Sequence, residues 1–203
     1  AGVLRDMEKA IEYYRSAASK GESRAQTNLG ARYQQGNGVA QDYRLALKWF
    51  LAAARQGDAE AQFSLGKMYQ SGRGVTRDFE TAVKWFRLAA EQGYAAAQNL
   101  LGAMYSRGLG VAQNHGLAVD WYRAAAEQGD ATAQYNLGAK YANGEGVSRD
   151  YVLAHMWWNL AASRGNYNAP YSREQVENEL TPEEVQTARR LAVECEARRF
   201  QDC

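Results

Sequence analysis

Residue types that carry chemistry are few in this 203-residue chain and stand far apart. A nucleophilic or acid–base site needs a nucleophile, a base and an orienting group within hydrogen-bond reach. The only histidines, His115 and His155, fall in different segments, and the carboxylates are scattered rather than paired. A metal site needs clustered His, Cys or Asp, and no such cluster is present in the sequence. Glycine-rich turns such as Gly72-Arg73-Gly74-Val75 cradle phosphate only after a strand and with a lysine, and both are missing here. The two cysteines, Cys195 and Cys203, are eight residues apart. That separation spans about 12 Å along a helix, beyond a disulfide's reach. A bond therefore requires the chain to leave its helix near Arg199 and fold back; otherwise both are free thiols. The chain is read as a non-enzyme with no catalytic residue, cofactor or metal, and binding becomes the leading function.

The elements that would position a binding surface are repeats. Trp49, Trp85, Trp121 and Trp157 recur every 36 residues, as do Tyr33, Tyr69, Tyr105 and Tyr141, and Gly30, Gly66, Gly102 and Gly138. A fixed period of this length marks one supersecondary unit stacked on its copies. Residues 42–77, 78–113, 114–149 and the start of 150–185 align without a gap, and 6–41 is a worn copy. Within a copy, Ala82, Trp85/Phe86 and Ala89/Ala90 make one helical stripe, and Ala61, Leu65 and Tyr69 make another. Asp42, Asp78, Asn114 and Asp150 are placed as N-caps; Gly57, Gly93, Gly129 and Gly165 follow where a left-handed stop is needed. A glycine in mid-helix costs about 1 kcal/mol, so Gly66 and its copies predict a close helix–helix approach. Tryptophan is expected to be a buried knob.

His115 replaces the aromatic after a cap and His155 takes an apolar register, so both are read as structural. Met156 stands where other copies carry Lys48, Lys84 and Asp120, which predicts that a downstream segment covers it. Thr181-Pro182-Glu183-Glu184 begins a helix with a cap, a first-turn proline and a glutamate three residues after the cap. Residues 182–199 are read as a capping helix, and 171–179 as a shorter helix or turn before it. Gly2-Val3-Leu4-Arg5-Asp6 is in register with Gly38-Val39-Ala40-Gln41-Asp42. The chain is thus expected to open inside a repeat, downstream of at least one helix and of any targeting segment.

The motif A-x-x-x-L-G-x-x-Y-x-x-G-x-G-V, followed by D-x-x-x-A-x-x-W-[FY]-x-x-A-A-x-x-G, resembles the Sel-1-like repeat family, a relative of the tetratricopeptide repeats. The resemblance covers residues 2 to about 165. It implies an all-α, right-handed α-α superhelix of 36-residue helix-turn-helix repeats with a C-terminal capping helix. The organisation expected is one solenoid domain over 1–203. It comprises a partial repeat at 1–21, helix pairs at 22–57, 58–93, 94–129 and 130–165, and a cap at 166–203. The ending also resembles the tail of exported bacterial members, which favours a Cys195–Cys203 disulfide and a periplasmic or secreted location, with the cytoplasm as the alternative.

Register with tetratricopeptide domains implies that positions around each Leu-Gly face a concave groove. Those positions hold Asn28, Phe63, Lys67, Asn99, Tyr135 and Asn136, and they vary between copies while the core positions stay nearly constant. Phe63 and Tyr135 are candidate anchors, since aromatics with few rotamers are common hot spots. The asparagine amides could hold a peptide backbone. Lys67 stands alone in its row, so the groove is expected to be mixed rather than charged. The family implies a scaffold or adaptor that binds a protein or an extended peptide, with a cell-wall glycan as the alternative ligand. A formal charge of +1 argues against nucleic acid, and no apolar run approaches the roughly 20 residues of a membrane helix.

Overall fold

A computed structural model describes residues 2–200 and 203, with side chains from residue 10 to 200 and at 203. Among the described residues there are eleven helices and no strand: α1 (Gly2–Ser19), α2 (Ser23–Gln35), α3 (Tyr43–Ala54), α4 (Ala59–Ser71), α5 (Phe79–Glu91), α6 (Ala95–Arg107), α7 (His115–Ala126), α8 (Ala131–Asn143), α9 (Tyr151–Ser163), α10 (Ala169–Glu177) and α11 (Pro182–Ala197). This is an all-α repeat architecture of the solenoid class. The chain divides into two compact units, Ala1–Gln92 and Gly93–Cys203.

In both units a Leu-Gly helix packs on the tryptophan helix that follows it: α2 on α3 and α4 on α5 in the first, α6 on α7 and α8 on α9 in the second. Local chemistry sets the helix ends. Asp42 accepts from the amides of Arg44 and Leu45, Asp78 from Glu80 and Thr81, Asn114 from Leu117 and Asp150 from Leu153. Each Leu-Gly helix ends on a left-handed glycine, Gly36, Gly72, Gly108 or Gly144, with φ between 66° and 73°. The following turn is pinned by a backbone bond from Asp42 to the Tyr33 carbonyl, repeated as Asp78–Tyr69, Asn114–Tyr105 and Asp150–Tyr141 at 2.9–3.0 Å.

The knob that meets each mid-helix glycine is the residue after tryptophan, not tryptophan itself. A Cβ on Gly66 would stand 2.5 Å from the Phe86 ring; Gly30, Gly102 and Gly138 face Phe50, Tyr122 and Trp158 at 2.8 Å. Phe50 and Phe86 are fully buried, whereas Trp49, Trp85 and Trp121 are only half-buried and Trp157 alone of the periodic four is buried. Adjacent helical residues point about 100° apart. The aromatic after tryptophan enters the glycine slot, and Trp85 lies at the margin of the Ala46/Phe50/Leu65/Met68 cluster.

A second contact repeats beneath the surface. Buried Gln26 and Gln62 accept from the amides of Gln56 and Gln92 at 2.8 Å, and Gln98 accepts from Gln128 at 2.7 Å. These bonds satisfy amide oxygens that would otherwise be desolvated without a partner. The pattern ends in the last copy, where Arg164 replaces the donor glutamine. There the Oε1 of fully buried Gln134 has no partner, and the Arg164 guanidinium lies 4.2 Å from the Phe200 ring centroid.

At the C-terminal end, α10 and α11 pack on α9. Met156 is 1% exposed. The α11 start is a complete capping box between Thr181 and Glu184. His155, fully buried, has Nε2 2.7 Å from Glu177 Oε1, and Glu177 also accepts from Arg189 at 3.3 Å. After Ala197 the backbone turns through two left-handed residues, Arg199 (φ 54°) and Phe200 (φ 66°), and Cys195 is disulfide-bonded to Cys203. One difference from the sequence register lies at the start. α1 is helical from Gly2, so the stretch aligned with the Gly38–Asp42 turn is helix. In the next copy that turn is held by the Tyr33 carbonyl.

Candidate binding surfaces

The six residues singled out in the sequence divide between the units: Asn28, Phe63 and Lys67 in the first, Asn99, Tyr135 and Asn136 in the second. In the first unit, half-buried Phe63 sits on α4 with its ring 6.0 Å from that of Phe86, and the Lys67 ammonium lies 5.4 Å from the Phe63 centroid. Asn28 is half-buried on α2. Lys67 opens onto a depression of about 340 Å³ lined by Gln34, Lys67, Gln70, Ser71 and Arg73. Lys67 is therefore not a lone charge. Arg73, read in the sequence only as a turn residue, joins it from the loop after α4. The Arg73 guanidinium is 5.9 Å from the Tyr43 ring.

In the second unit, Asn136 donates to Asn99 Oδ1 at 3.0 Å, so the two amides hold each other. Tyr135 is engaged by the cap. Its ring lies 6.2 Å from Trp158, its carbonyl accepts from the Trp158 indole at 3.0 Å, and its hydroxyl accepts from Ser172 of α10 at 3.4 Å.

A polar cluster beside Asn136 was missed by the sequence reading. Lys140, 6% exposed, donates to Ser106 Oγ at 2.7 Å and to Glu145 Oε2 at 2.5 Å, and stands 3.2 Å from His115 Nδ1. An ammonium has three donors and no acceptor, so Nδ1 accepts and all three donors are used. The lysine bond holds the Glu145 carboxyl below its usual range. Burial pushes the Tyr122 phenol up, against the lowering effects of Arg107 and of a hydrogen bond with Ser106. Ser106, Arg107, Tyr122, Asn136, Lys140 and Glu145 are among the residues lining a depression of about 170 Å³. The cluster's signal in the sequence was available: Lys140 replaces Met68 and Met104, Tyr122 replaces Phe50 and Phe86, and His115 replaces Tyr43 and Phe79.

The model of the Sel1 repeat matches residues 1–22, 23–58, 59–94, 95–130 and 131–166. The chain belongs to the Sel1 repeat family. A solved Sel1-type structure, a protective antigen present in uropathogenic Escherichia coli strains and displaying an SLR fold, is 39% identical over 92% of this chain, with a TM-score of 0.82. A Sel1 repeat protein from Oxalobacter formigenes is 40% identical over 84% of the chain, with a TM-score of 0.77. The chain spans 41% and 50% of the lengths of these two relatives. An immunity protein from Pseudomonas aeruginosa, 23% identical over 95% of this chain and 74% of its own length, shares the fold with a TM-score of 0.55. A search of curated protein sequences gives no significant match. Sel1 repeats are a non-catalytic scaffold fold that generally mediates protein binding. Among the described residues no helix is long and apolar enough to cross a membrane, and no group of three or more metal-ligating side chains gathers.

Proposed function

We propose that this Sel1 repeat chain is a non-enzymatic adaptor that binds a protein or an extended peptide through the variable face of its Leu-Gly helices. The observation that carries this reading is the pairing of a half-buried aromatic with an exposed cation at Phe63 and Lys67, beside the depression that Arg73 completes. These positions change from copy to copy, while the glycine slots and their aromatic knobs persist. A surface released from packing constraints is free to specialise. Asn99, Asn136 and Asn28 are secondary contacts in this reading; Tyr135 contributes an edge, because the cap holds its ring. A periplasmic or secreted location is part of the proposal. It is supported by the disulfide, which persists in oxidising compartments, and by the likeness to a protective antigen.

The test is affinity capture from envelope and soluble fractions of the source organism, with wild type run beside a Phe63→Ala/Lys67→Ala variant of unchanged helicity. A client enriched by wild type and lost by the variant supports the face. Equal capture by both overturns it. Binding to purified peptidoglycan in the same assay would instead favour the glycan alternative.

A further inference from the structure

The same depression occurs in both units, and one position of its lining changes sign, Arg73 in the first and Glu145 in the second. Gln34, Lys67, Ser71 and Arg73 of the first unit stand two repeats before Ser106, Ala139, Asn143 and Glu145 of the second, and both sets line a depression. In the second unit the loop after α8 supplies a carboxylate. Glu145 Oε2 bonds the Lys140 ammonium and lies 3.7 Å from His115 Nδ1. In the first unit the corresponding loop residue is Arg73, the buried position of Lys140 is Met68, and no acidic side chain lines the depression. Neither Lys67 nor Arg73 forms an ion pair with a described residue. Each cation rests instead near an aromatic face, Lys67 on Phe63 and Arg73 on Tyr43, which orients it without neutralising it.

We propose that the Gln34/Lys67/Gln70/Ser71/Arg73 depression binds an aspartate or glutamate side chain of the bound polypeptide, which brings the carboxylate that the second unit carries within its own chain as Glu145. This rests on the adaptor reading above and names the chemistry of its partner. Two cations and the Gln34 amide lining one depression suit a carboxylate, since charge-assisted hydrogen bonds are about twice as strong as neutral ones. The Arg73 guanidinium offers a planar fork to two oxygens, and Lys67 adds a point charge. A neutral glutamine of the same shape gains no such attraction.

The experiment uses the whole chain, labelled with nitrogen-15, and two capped tripeptides, acetyl-Ala-Glu-Ala-amide and acetyl-Ala-Gln-Ala-amide. The glutamate peptide is expected to shift the amide signals of Gln34, Lys67, Gln70, Ser71 and Arg73 saturably, with the glutamine peptide at least about tenfold weaker. Raised salt weakens the response. Arg73→Glu, which copies the second unit by giving the loop its own carboxylate, is expected to abolish it; Arg73→Gln reduces it without adding a negative charge. Equal shifts from both peptides, no saturable shift, or an undiminished response in Arg73→Glu overturns the proposal. The outcome is separable from that of the adaptor reading. A client lost on Phe63→Ala/Lys67→Ala while the glutamate peptide ignores the depression overturns the pocket alone; glutamate-selective shifts support the pocket whether or not a client is captured.

Discussion

Met68 and Lys140 occupy the same place in the repeat, two copies apart, and both are buried. Around Met68 the neighbours are apolar: Phe50, Leu65 and the flank of Tyr43. Around Lys140 the counterpart of Leu65 is still a buried leucine, Leu137, but His115 stands for Tyr43, Ser106 for Gln34 and Glu145 for Arg73, and all three meet the ammonium. The helices, caps and glycine slots are the same in both places, so the fold tolerates either filling. The fold does not require the lysine, and the exchange involves several positions together. A buried ammonium persists only where each of its donors is met. The coordinated change at residues 106, 115, 122, 140 and 145 is that condition fulfilled.

The largest expected effect comes from breaking the correspondence in the first unit. Met68→Lys would bury an ammonium opposite Arg73, with no carboxylate in reach, and should cost about 3–5 kcal/mol. Adding Arg73→Glu should recover part of that loss, because it supplies the partner that Lys140 has in Glu145. Denaturant unfolding of the two single variants and the double variant measures the coupling; no recovery would mean that the units' equivalence does not extend to this pocket.

The reverse change should be mild. Lys140→Met restores the residue of the other copies and leaves Glu145, already 40% exposed as a side chain, to water. Replacing a buried ion pair by an apolar residue is often neutral or stabilising. Glu145→Ala is the harsher change, since it strands the ammonium with Ser106 and His115. A loss of about 1–3 kcal/mol is expected, discounted for the exposure of the carboxylate. If Glu145→Ala proves milder than Lys140→Met, the cluster is not held by its charge pair.

Acid should act on the cap. Burial holds the His155 imidazole below its ordinary 6.5, against the raising effect of the Glu177 hydrogen bond; Arg173 and Arg189 also lower it. The unfolded chain then takes up a proton that the folded chain refuses, so stability falls as pH drops below about 6.5 and levels off below the folded value. Glu177 is held below its ordinary 4.5, first by the His155 bond and then by Arg189. Its contribution is present above 4.5 and is lost as pH falls through the folded value. Hydrogen exchange of the α10 and α11 amides against pH should therefore show two steps, and His155→Leu should remove the upper one.

Much of this architecture was legible in the sequence, because its causes are local and repeat. The caps at Asp42, Asp78, Asn114 and Asp150, the left-handed glycines and the Thr181 box each depend on neighbours a few residues away. What the pattern could not resolve was rotation by a single residue. Trp85 and Phe86 share one stripe, and only the position of Gly66 on the facing helix decides which of them is the knob. Buried Gln26, Gln62 and Gln98 were invisible for a related reason: a glutamine on a helix reads as solvated until its partner, thirty residues away, is known. The depression beside Lys67 was legible only in part. Phe63 and Lys67 stand out by their variability between copies, whereas Arg73, which lines the same depression as Lys67, reads as a turn residue because the turn explains it completely.

The smallest expected effect tests that glutamine pairing where it stops. Restoring the repeat with Arg164→Gln would place an amide donor thirty residues after Gln134, the spacing at which Gln128 bonds Gln98. The bond should satisfy Gln134 Oε1, an orphaned buried acceptor, and contribute about 1 kcal/mol. Against this stands the loss of the Arg164 guanidinium over Phe200, a contribution of about 0.5–1 kcal/mol. The two nearly cancel, so global stability should hardly move. Their locations do not cancel. Exchange should slow at the N-terminal turn of α8 and quicken around Phe200, close to the disulfide that returns the chain to α11. Unchanged exchange at α8 would mean that water already serves Gln134, and that the repeat gave up its last glutamine at no cost to the core.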